Sequence, residues 1–512
     1  MSLMSSFFSW YFRKRWPELE NQIRMADDVQ KTTLLSLMND AKYTEFGKLY
    51  DFKSINTYET FRSRVPIRDY ESMKPFIERT MKGEQNVIWH SDIRWFAKSS
   101  GTTSDKSKFI PVSFEALDKC HYQGGRDVLT LYSNSFQETE IFSGKSLVIG
   151  GSHKVNTFSE NSFYGDLSAV VISNTPFWVD FLRTPDKSIA LMEEWEQKLE
   201  MMANATLNED VTTISGVPTW TLVLIERLFA MTGKRDLHDI WPNLELYIHG
   251  GVSFTPYRER FQKLMPSKGI RYLETYNASE GFFGIQGAFN GEEMYLMPGY
   301  GIFFEFVKAE HIHNENAHAI PLWEVEKGVN YAVVISTNAG LWRYIIGDTI
   351  KFSSLKPYRF SITGRTKLFI NAFGEELVIE NAERAIAKAC ELTNAVVSDY
   401  TAAPVYMELG QDAGHEWLIE FEKMPENLEE FNKVLDTTLK NVNSDYEAKR
   451  HKDIALKAPK IVCLKKGAFL NWMRERGKLG GQHKVPRLSN NRSIVDELLK
   501  IEGKEMPLSG QV

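Results

Sequence analysis

The chain of 512 residues is too long for one hydrophobic core, so we expect about two to four domains. A composition of 43% hydrophobic and 25% charged residues is typical of an ordinary globular protein. Lysine and arginine total 61 against 67 acidic residues, and this net charge of −6 argues against the strongly basic surface of a nucleic-acid-binding protein.

The cysteines and the first segment indicate a compartment. Cys120, Cys390 and Cys463 are widely spaced without a CxxC pair, which is typical of a reducing environment and argues against a structural zinc site. The segment MSLMSSFFSWYFRKRW carries its basic residues after its apolar part, the reverse of a secretory signal. No apolar run approaches the roughly 18 residues that span a bilayer. We therefore expect a cytoplasmic protein whose first helix docks on the rest of the protein, with contact to a membrane surface as the alternative.

Helical patterns dominate the first half of the chain. They cover most of 16–85, then 114–134, 190–207 and 220–233, with a short buried strand, SLVIGG, at 146–151. The residue pattern changes at LELYIHGG, an apolar strand that ends in Gly250 and Gly251. A helical PYRERFQKLM and a second strand, IRYLETY, follow it. A strand, a helix and a parallel strand form the unit of an α/β fold, which collects ligands at the carboxyl ends of its strands.

Antiparallel signals come next. The run YAVVISTNAGLWRYIIGDTIKF reads as two strands about an Asn-Ala-Gly turn, and RFSITGR adds another strand. After Gly364 the segment TKLFINAFGEELVIENAERAIAKACE predicts a turn and a helix, while WLIEFEK and KIVCLKKGAF predict short strands. These elements indicate a smaller α+β domain that runs towards the end of the chain.

Three polar segments are candidates for chemistry. SSGTTSDKSK sets hydroxyls around one glycine, which suits either a surface loop or the wrapping of an oxygen-rich ligand. YNASEG and YIIGD place Glu280 and Asp348 at strand ends, where a carboxylate can accept ribose hydroxyls or share Mg²⁺ with phosphate oxygens. A helix cap for Glu280 and a simple turn for Asp348 are the alternatives. HExxH and G-x-S-x-G are absent, so the metalloprotease and esterase classes have no support.

These motifs, with others in the same order, resemble a known family. The stretch from about Trp95 to Arg487 resembles the adenylate-forming superfamily of acyl-CoA synthetases, adenylation domains and luciferases. It is more closely similar to the auxin-responsive acyl acid–amido synthetases of plants and their bacterial relatives. SSGTTSDKSK resembles the phosphate loop of that superfamily, although Ser104 and Asp105 stand where glycine is common. The other matching motifs are HGGVSF, YNASE, YIIGD, GRTKLFINAFGEELVIENAE and GQHKVPR.

The resemblance implies an ATP site. The hydroxyl loop would bind the β- and γ-phosphates, Asp348 the ribose hydroxyls, and Glu280 a Mg²⁺ ion, while Tyr276 would lie against adenine, with core packing as a compatible alternative. Lys106 and Lys108 are either phosphate contacts or loop charges. The implied nucleotide-binding residues are Ser99, Ser100, Gly101, Thr102, Thr103, Gly250, Gly251, Tyr276, Asn277, Ala278, Ser279, Asp348 and Arg365.

The catalytic assignments implied by the resemblance are Lys484, Glu280 and Thr102. Lys484 would approach the α-phosphate, where negative charge gathers, although a solvated surface lysine is the alternative. Arg126 could bind the acyl carboxylate, with a helix-surface salt bridge as the slightly favoured alternative. Val217, in TTISGVPTW, could line the acyl site or simply pack there.

The implied fold class is α/β. A large N-terminal adenylate-forming domain, 1–365, would combine mixed sheets, helices and a small antiparallel β-barrel. A smaller mobile α+β domain, 366–512, would carry the lysine motif and pivot near Lys367. Arg365 would lie near the ribose or order this hinge, with a surface arginine as the alternative.

The implied reaction joins a carboxylic acid to an amino acid with ATP and Mg²⁺ as cofactors, and no obligatory protein partner is evident. An acyl-CoA synthetase and a non-catalytic nucleotide-binding relative are the two rival interpretations. The residues do not distinguish one acid from another.

Overall fold

The computed structural model describes 2–99, 108–150, 155–159, 161–192, 194–251, 254, 258–287, 289, 291, 293–312, 314, 317–366, 369–370, 377–405, 414–443, 446–447, 450, 456–477, 484–489 and 492–503. The described residues divide into two compact units. The first contains those of Met1–Phe254 and Phe261–Ser361. The second contains those of Ile362–Leu479 and His483–Val512, with the described part of Thr255–Arg260.

Most helices coincide with predicted helical patterns, whereas those at 167–174, 428–442, 468–475 and 493–503 were not predicted. They are α1 Leu3–Arg13, α2 Trp16–Arg24, α3 Ala26–Ala41, α4 Glu45–Leu49, α5 Tyr58–Arg64, α6 Tyr70–Met81, α7 Phe114–Ala116, α8 Gln123–Ser135, α9 Leu167–Asn174, α10 Lys187–Ala190, α11 Trp195–Thr206, α12 Pro218–Thr232, α13 Arg258–Lys263, α14 Ile379–Thr393, α15 Leu428–Val442, α16 Ala468–Glu475 and α17 Ser493–Gly503. Short 3₁₀ turns cover Phe52–Ser54, Phe177–Phe181, Leu237–Asp239, Ala309–His311 and Leu322–Glu324. Between α7 and α8 the chain forms a π-helical segment, Leu117–Tyr122.

The strands are β1 Trp95–Ser99, β2 Lys108–Val112, β3 Lys145–Val148, β4 Asn156–Ser159, β5 Ser162–Gly165, β6 Arg183–Thr184, β7 Val211–Ser215, β8 Leu246–Gly250, β9 Arg271–Ala278, β10 Gly281–Gln286, β11 Met294–Leu296, β12 Ile302–Lys308, β13 Ile320–Pro321, β14 Asn330–Thr337, β15 Tyr344–Leu355, β16 Tyr358–Arg365, β17 Phe369–Ile370, β18 Leu377–Val378, β19 Val396–Val405, β20 Gly414–Lys423 and β21 Lys460–Leu464.

One twelve-stranded sheet organises the first unit. Its order is β13-β12-β14-β15-β16-β11-β10-β9-β8-β7-β3-β6. Strands β3, β7, β8 and β9 are parallel neighbours, and the antiparallel strands begin at β10. The α/β pattern predicted the parallel pair of β8 and β9. The resemblance implied a small antiparallel barrel. In the structure the antiparallel strands continue the same sheet as the parallel strands. A second sheet, β2-β1-β5-β4, was not predicted from the sequence.

Local sequence explains several element boundaries. Helix α12 starts with Pro218, whose missing N–H costs nothing at a first helical position, and ends before Gly233, which has a left-handed φ of 71°. Strands β12 and β14 are buried along nearly their whole length, and both are rich in β-branched or aromatic residues. The predicted hairpin about Asn338–Gly340 is confirmed as β14 and β15.

Helix α1 docks on α8, as expected, but with an unusual face. Ser5 and Ser9 are buried, and Phe12 stacks on Phe142 with ring centroids 5.3 Å apart. Its larger apolar side chains at positions 3, 7, 10 and 11 are exposed. In the part of the chain that the structure describes, no helix combines the length and the apolar character needed to cross a bilayer.

The second unit is an α+β assembly with its own core. Strands β19, β20 and β21 form its main sheet, in which β19 and β20 are antiparallel and β20 and β21 are parallel. Helices α14 and α15 pack together, and buried side chains such as Trp417 and Leu435 fill the core. A short antiparallel pair, β17 and β18, precedes α14.

Candidate active site

The parallel strands bring four chain segments to one edge of the large sheet. The amide of Ile149 donates to the carbonyl of Ser215 at 2.8 Å, and the amide of Gly216 donates to the carbonyl of Ile248 at 3.1 Å. Gly250, the last residue of β8, is in register with Thr275 of β9. The segments that follow β3, β7, β8 and β9 therefore lie side by side, which is where ligands bind in α/β sheets.

Gly250 and Gly251 are required by the backbone at this edge. A Cβ on Gly250 would lie 2.4 Å from the carbonyl oxygen of Thr275, so no side chain fits there. Gly251 has a φ of 80°, a conformation that glycine adopts with little strain and that L side chains rarely adopt. Strand β8 therefore ends in two residues without side chains, and the backbone of Thr275 fills the Cβ position of Gly250.

Tyr276 and Asp348 come from two separately predicted motifs and meet in the structure. The Tyr276 hydroxyl donates to Oδ2 of Asp348 at 2.5 Å. Only 7% of Tyr276 and 8% of Asp348 are exposed, and the Tyr276 ring packs edge-on against Phe283 with centroids 4.8 Å apart. Core packing of Tyr276 is therefore real, and it holds the Asp348 carboxylate in a defined orientation.

The turn between β9 and β10 carries the other predicted residues of YNASE. Asn277 and Ala278 end β9, and Gly281 starts β10, so Ser279 and Glu280 form the turn itself. Ser279 is buried and Glu280 is half-buried. Glu280 does not cap a helix, because the chain continues directly into β10. The turn follows the carboxyl end of β9, the strand that pairs with β8 up to Gly250.

The donor set at the edge suits Mg²⁺ better than a metal held only by protein. Among the described residues, no group of three or more His, Cys, Asp or Glu side chains could hold a metal ion. Mg²⁺ usually takes one or two carboxylates and completes its shell with waters and substrate phosphates. The carboxylate of Glu280 in an accessible turn fits such a partly open site.

The hydroxyl-rich loop connects two paired strands. Ser99, the last residue of β1, is in register with Lys108, the first residue of β2, so both ends of the loop are fixed by an antiparallel pair. The Lys108 ammonium lies 5.7 Å from the ring centroid of Tyr70. The predicted phosphate contacts Ser100, Gly101, Thr102 and Thr103, and the neighbouring Lys106, lie outside the described residues.

The two predicted acyl-site residues differ in what they contact. Arg126 on α8 donates to Oδ1 of Asp118 at 3.1 Å and to its carbonyl at 3.2 Å. Its guanidinium therefore forms the helix-surface salt bridge that was the alternative interpretation. Val217 lies beyond β7 as the N-cap of α12, half-buried at the same edge as Gly250, and its carbonyl accepts from the Thr221 hydroxyl at 3.0 Å.

Lys484 belongs to the second unit and is exposed. The residues that follow it run beside β19: the amide of Ala402 donates to the carbonyl of Arg487 at 2.9 Å, and the amide of Ser489 donates to the carbonyl of Ala402 at 3.0 Å. Arg487 also forms an ion pair with Asp399. The lysine is thus anchored on its carboxyl-terminal side. Arg365 ends β16, and its side chain, like all of Lys367, lies outside the described residues.

Two residues against the candidate site were missed by sequence reasoning. Cys120 and His121, in the π-helical segment, contact the β9–β10 hairpin: the Cys120 sulfur accepts from the amide of Phe282 at 3.1 Å, and His121 Nδ1 lies 3.1 Å from Oδ1 of Asn277. A lone histidine and a lone cysteine in a helical pattern carry no sequence signal for such a contact.

Comparisons with known proteins identify the family of the chain. Models of the GH3 family match the chain in three parts: the N-terminal domain at 15–270, the central domain at 295–365 and the C-terminal domain at 380–493. Indole-3-acetic acid-amido synthetase GH3.3 of Arabidopsis thaliana is 24% identical over 94% of this chain and 92% of its own. Jasmonoyl–L-amino acid synthetase JAR6 of Nicotiana attenuata is also 24% identical, over 92% of each chain.

Solved structures share the fold. The GH3.15 acyl acid amido synthetase superposes with a TM-score of 0.78 at 18% identity and covers 94% of this chain and 95% of its own. A 2-hydroxyisobutyryl-CoA ligase in complex with 2-HIB-AMP superposes with a TM-score of 0.57 at 12% identity, over 92% of this chain and 91% of its own. The predicted fold class is thereby confirmed. Since the three family models together match most of its residues, the chain belongs to the GH3 family.

Proposed function

We propose that the protein is an ATP-dependent acyl acid–amido synthetase. In the first step a carboxylate oxygen attacks the α-phosphorus of ATP, the bond to the bridging oxygen of the β-phosphate breaks, and an acyl-adenylate and pyrophosphate form. In the second step an amino-acid nitrogen attacks the acyl carbon, the bond to AMP breaks, and the amine gives up a proton. The observation that carries this proposal is the buried hydrogen bond between Asp348 and Tyr276, which lies on a strand that runs into the Ser279–Glu280 turn and pairs with the strand ending at Gly250.

The proposed nucleotide roles are those that the family resemblance implies, and the hydrogen bond between Tyr276 and Asp348 supports them. We assign the ribose hydroxyls to Asp348, because a buried carboxylate that already accepts one hydroxyl is fixed for further charge-assisted hydrogen bonds. We assign the adenine to the backbone at Gly250 and Gly251 and to the neighbourhood of Tyr276 and Asn277. The phosphates are assigned to the hydroxyl loop, Ser99 to Thr103, whose short neutral donors can follow a phosphate chain as it reorganises.

Glu280 is proposed to hold Mg²⁺ together with phosphate oxygens. When bound, the ion would neutralise phosphate charge and favour the departure of pyrophosphate. The half-buried position of Glu280 in a turn supports this assignment, and the hydroxyl of Ser279 beside it is a further oxygen ligand. Arg365 is proposed to act near the ribose or to order the junction between the two domains.

Lys484 is proposed as the cation that stabilises the charge at the α-phosphate in the first step. In this scheme the domains are 1–365 and 366–512, and the smaller one rotates between the two steps, with Lys367 as the pivot. The family relation supports the scheme, as does the anchoring of the lysine segment on β19. A cytoplasmic, reducing location is part of the proposal, and it is supported by three cysteines that are all free.

The acyl group and the acceptor are proposed as classes. Relatives are named for indole-3-acetic acid and for jasmonoyl–L-amino acid products, so the substrate class is a small carboxylic acid with an amino-acid acceptor. The acyl chain is assigned to the surface near Val217, at the end of β7. Arg126 remains a candidate for the acid carboxylate only if its salt bridge to Asp118 opens. Coenzyme A is the rival acceptor, since an acyl-CoA ligase shares the fold.

Acid-dependent exchange of pyrophosphate into ATP tests the first step. With a panel of small acids, we expect the wild type to exchange with at least one, and Glu280→Ala and Asp348→Ala to lose most of that rate, roughly 10²-fold or more. Lys484→Ala should lose a similar amount. Glu138→Ala is the matched control, because this carboxylate is exposed in a turn away from the sheet edge. Wild-type exchange in either carboxylate variant would refute the assigned roles.

Product analysis tests the second step. The wild type is supplied with MgATP, an acid that supports exchange, and either an amino-acid mixture or coenzyme A. A mass that matches the amide supports the proposal, whereas a thioester favours the rival. AMP release that no acid stimulates would instead favour a nucleotide-binding protein without ligase activity.

A further inference from the structure

A π-helical segment lies where the helix that begins at α7 packs on the candidate site. Residues Leu117–Tyr122 form this segment between α7 and α8. A π-turn inside an α-helix is rare, and it is frequently found at functional sites because the inserted residue re-aims the side chains of one turn. Cys120 and His121 lie in this segment.

The segment touches both strands of the β9–β10 hairpin. On β10 the amide of Phe282 donates to the Cys120 sulfur at 3.1 Å, where the strand pairing also shifts register. On β9 the Asn277 side-chain oxygen lies 3.1 Å from Nδ1 of His121. The residues between these two contacts are those of the turn that carries Glu280. The hairpin is therefore held on both sides of its tip.

Packing leaves the helix no freedom to move towards the hairpin. A Cβ on Gly124 would lie 2.5 Å from ring carbons of Phe282, and a Cβ on Gly281 would lie 3.6 Å from the Cys120 sulfur. Gly125, one residue further along the helix, has open space around the same position. The helix is thus in direct contact with the hairpin at Gly124 and clear of it at Gly125.

Both contact groups are neutral. Burial lowers the pKa of His121 to about 4, and the hydrogen bond to Asn277 only partly opposes this effect. Burial raises the pKa of the Cys120 thiol to about 12. Near neutral pH the segment therefore offers an uncharged imidazole and an uncharged thiol, which can orient the hairpin without repelling a cation at Glu280.

We propose that Cys120 and His121 are positioning residues that fix the Ser279–Glu280 turn for Mg²⁺ and the phosphates of ATP. This inference rests on the proposed function of Glu280. A carboxylate on an unsupported hairpin tip would sample many positions, and a misplacement of about 1 Å can cost roughly 10²-fold in rate. The two contacts hold the backbone on either side of the tip, so the carboxylate of Glu280 starts from a defined place.

The test compares substitutions that differ in this contact. We expect His121→Ala and Gly124→Ala to raise the Mg²⁺ concentration for half-maximal exchange and to lower kcat by roughly 10-fold to 100-fold, with the KM for the acid nearly unchanged. Gly125→Ala is the matched control and should keep wild-type values. His121→Asn should recover part of the loss, because an amide nitrogen can take the place of Nδ1. Cys120→Ser should act mildly, since a hydroxyl still accepts the Phe282 amide.

A binding measurement accompanies the kinetics. The rise in melting temperature on adding MgATP is compared with the rise on adding ATP with EDTA, because a ligand of the folded state raises the melting temperature by mass action. The Mg²⁺-dependent part should shrink in His121→Ala and Gly124→Ala and persist in Gly125→Ala. A merely structural role would lower the melting temperature without ligand and leave the Mg²⁺ requirement unchanged.

The outcomes separate this inference from the function on which it rests. If the wild type is active and both His121→Ala and Gly124→Ala keep its Mg²⁺ requirement, the positioning role alone is overturned. A wild type that neither exchanges pyrophosphate with any acid nor responds to MgATP overturns the proposed function and this inference together.

Discussion

Replacing Arg343 by methionine should destabilise the first unit strongly, because this arginine is one half of a buried ion pair. Only 4% of its side chain and none of that of Glu305 is exposed. The Arg343 guanidinium donates to both carboxylate oxygens of Glu305 at 2.8–3.1 Å and to the carbonyls of Arg62 and Val65 at 3.0 and 2.6 Å. The Tyr58 hydroxyl also donates to Glu305, at 3.0 Å.

The expected cost follows from what the substitution leaves behind. In Arg343→Met the Glu305 carboxylate stays buried with Tyr58 as its remaining donor, and removing one partner of a buried pair costs about 3–5 kcal/mol. In Arg343→Met/Glu305→Leu the orphaned charge is gone, but the carbonyls of Arg62 and Val65 still lack their donor, at about 1–3 kcal/mol for a buried unsatisfied group. The double variant should therefore be more stable than the single variant and less stable than the wild type.

Urea unfolding followed by tryptophan emission measures this difference, since Trp342 is fully buried next to Arg343. Arg79→Met is the matched control: Arg79 also pairs with two carboxylates, Glu45 and Glu84, but its side chain is exposed, so its removal should change the midpoint little. A midpoint loss in Arg343→Met no larger than in Arg79→Met would refute the reasoning, as would a double variant less stable than Arg343→Met.

Three further predictions concern a carboxylate, a glycine and two thiols. Burial alone would raise the pKa of Asp436, but hydrogen bonds from an arginine, a lysine and a tyrosine hold this pKa below its usual value. The ionised carboxylate therefore stabilises the fold above about pH 4, and this stabilisation is lost as the pH falls through the pKa of the folded state. Acid unfolding of Asp436→Asn should show a shallower loss of stability than the wild type in that range, and identical slopes would contradict the assignment. Gly250→Ala should lower the free energy of unfolding by about 1–3 kcal/mol, because the new methyl group would overlap the backbone of Thr275. The same variant should lose the rise in melting temperature on adding MgATP, and a normal rise would show that the nucleotide binds elsewhere. In native protein a thiol reagent should modify the exposed Cys463 first and the buried Cys120 only after unfolding, and fast labelling of Cys120 would show that the helix does not rest on the hairpin as described.

Local patterns were sufficient to predict the elements that position the site. The parallel strands β8 and β9 and the hairpin of β14 and β15 were predicted because apolar runs end at glycine or turn residues and carry little ambiguity. The glycine pair at 250 and 251 was named for the same reason. Asp348, predicted at a strand end with a turn as the alternative, lies instead inside β15, because the strand continues to Leu355. The structure adds that Tyr276 and Asp348 are hydrogen-bonded, a contact between residues 72 positions apart that no local pattern encodes.

Other features depend on tertiary contacts and were not predictable. The sheet of β1, β2, β4 and β5 was missed because its strands are short, and two of them flank a polar loop that hides their pairing. The π-helical segment depends on which backbone carbonyl each amide selects, and the residue pattern of 114–134 is that of an ordinary helix. The partner of Arg126 is another example, because a guanidinium on a helix surface can reach either a ligand or Asp118.

The short run from Val485 to Ser489 has a consequence for engineering. Because the backbone of this run is hydrogen-bonded to β19, Lys484 is attached to the folded second unit. Grafting the lysine motif alone onto another scaffold would therefore transfer the side chain without the strand that fixes its backbone. An exchange of modules between relatives should cut before β17, so that Lys484, β19 and the core that includes Ile370 and Leu377 are transferred together.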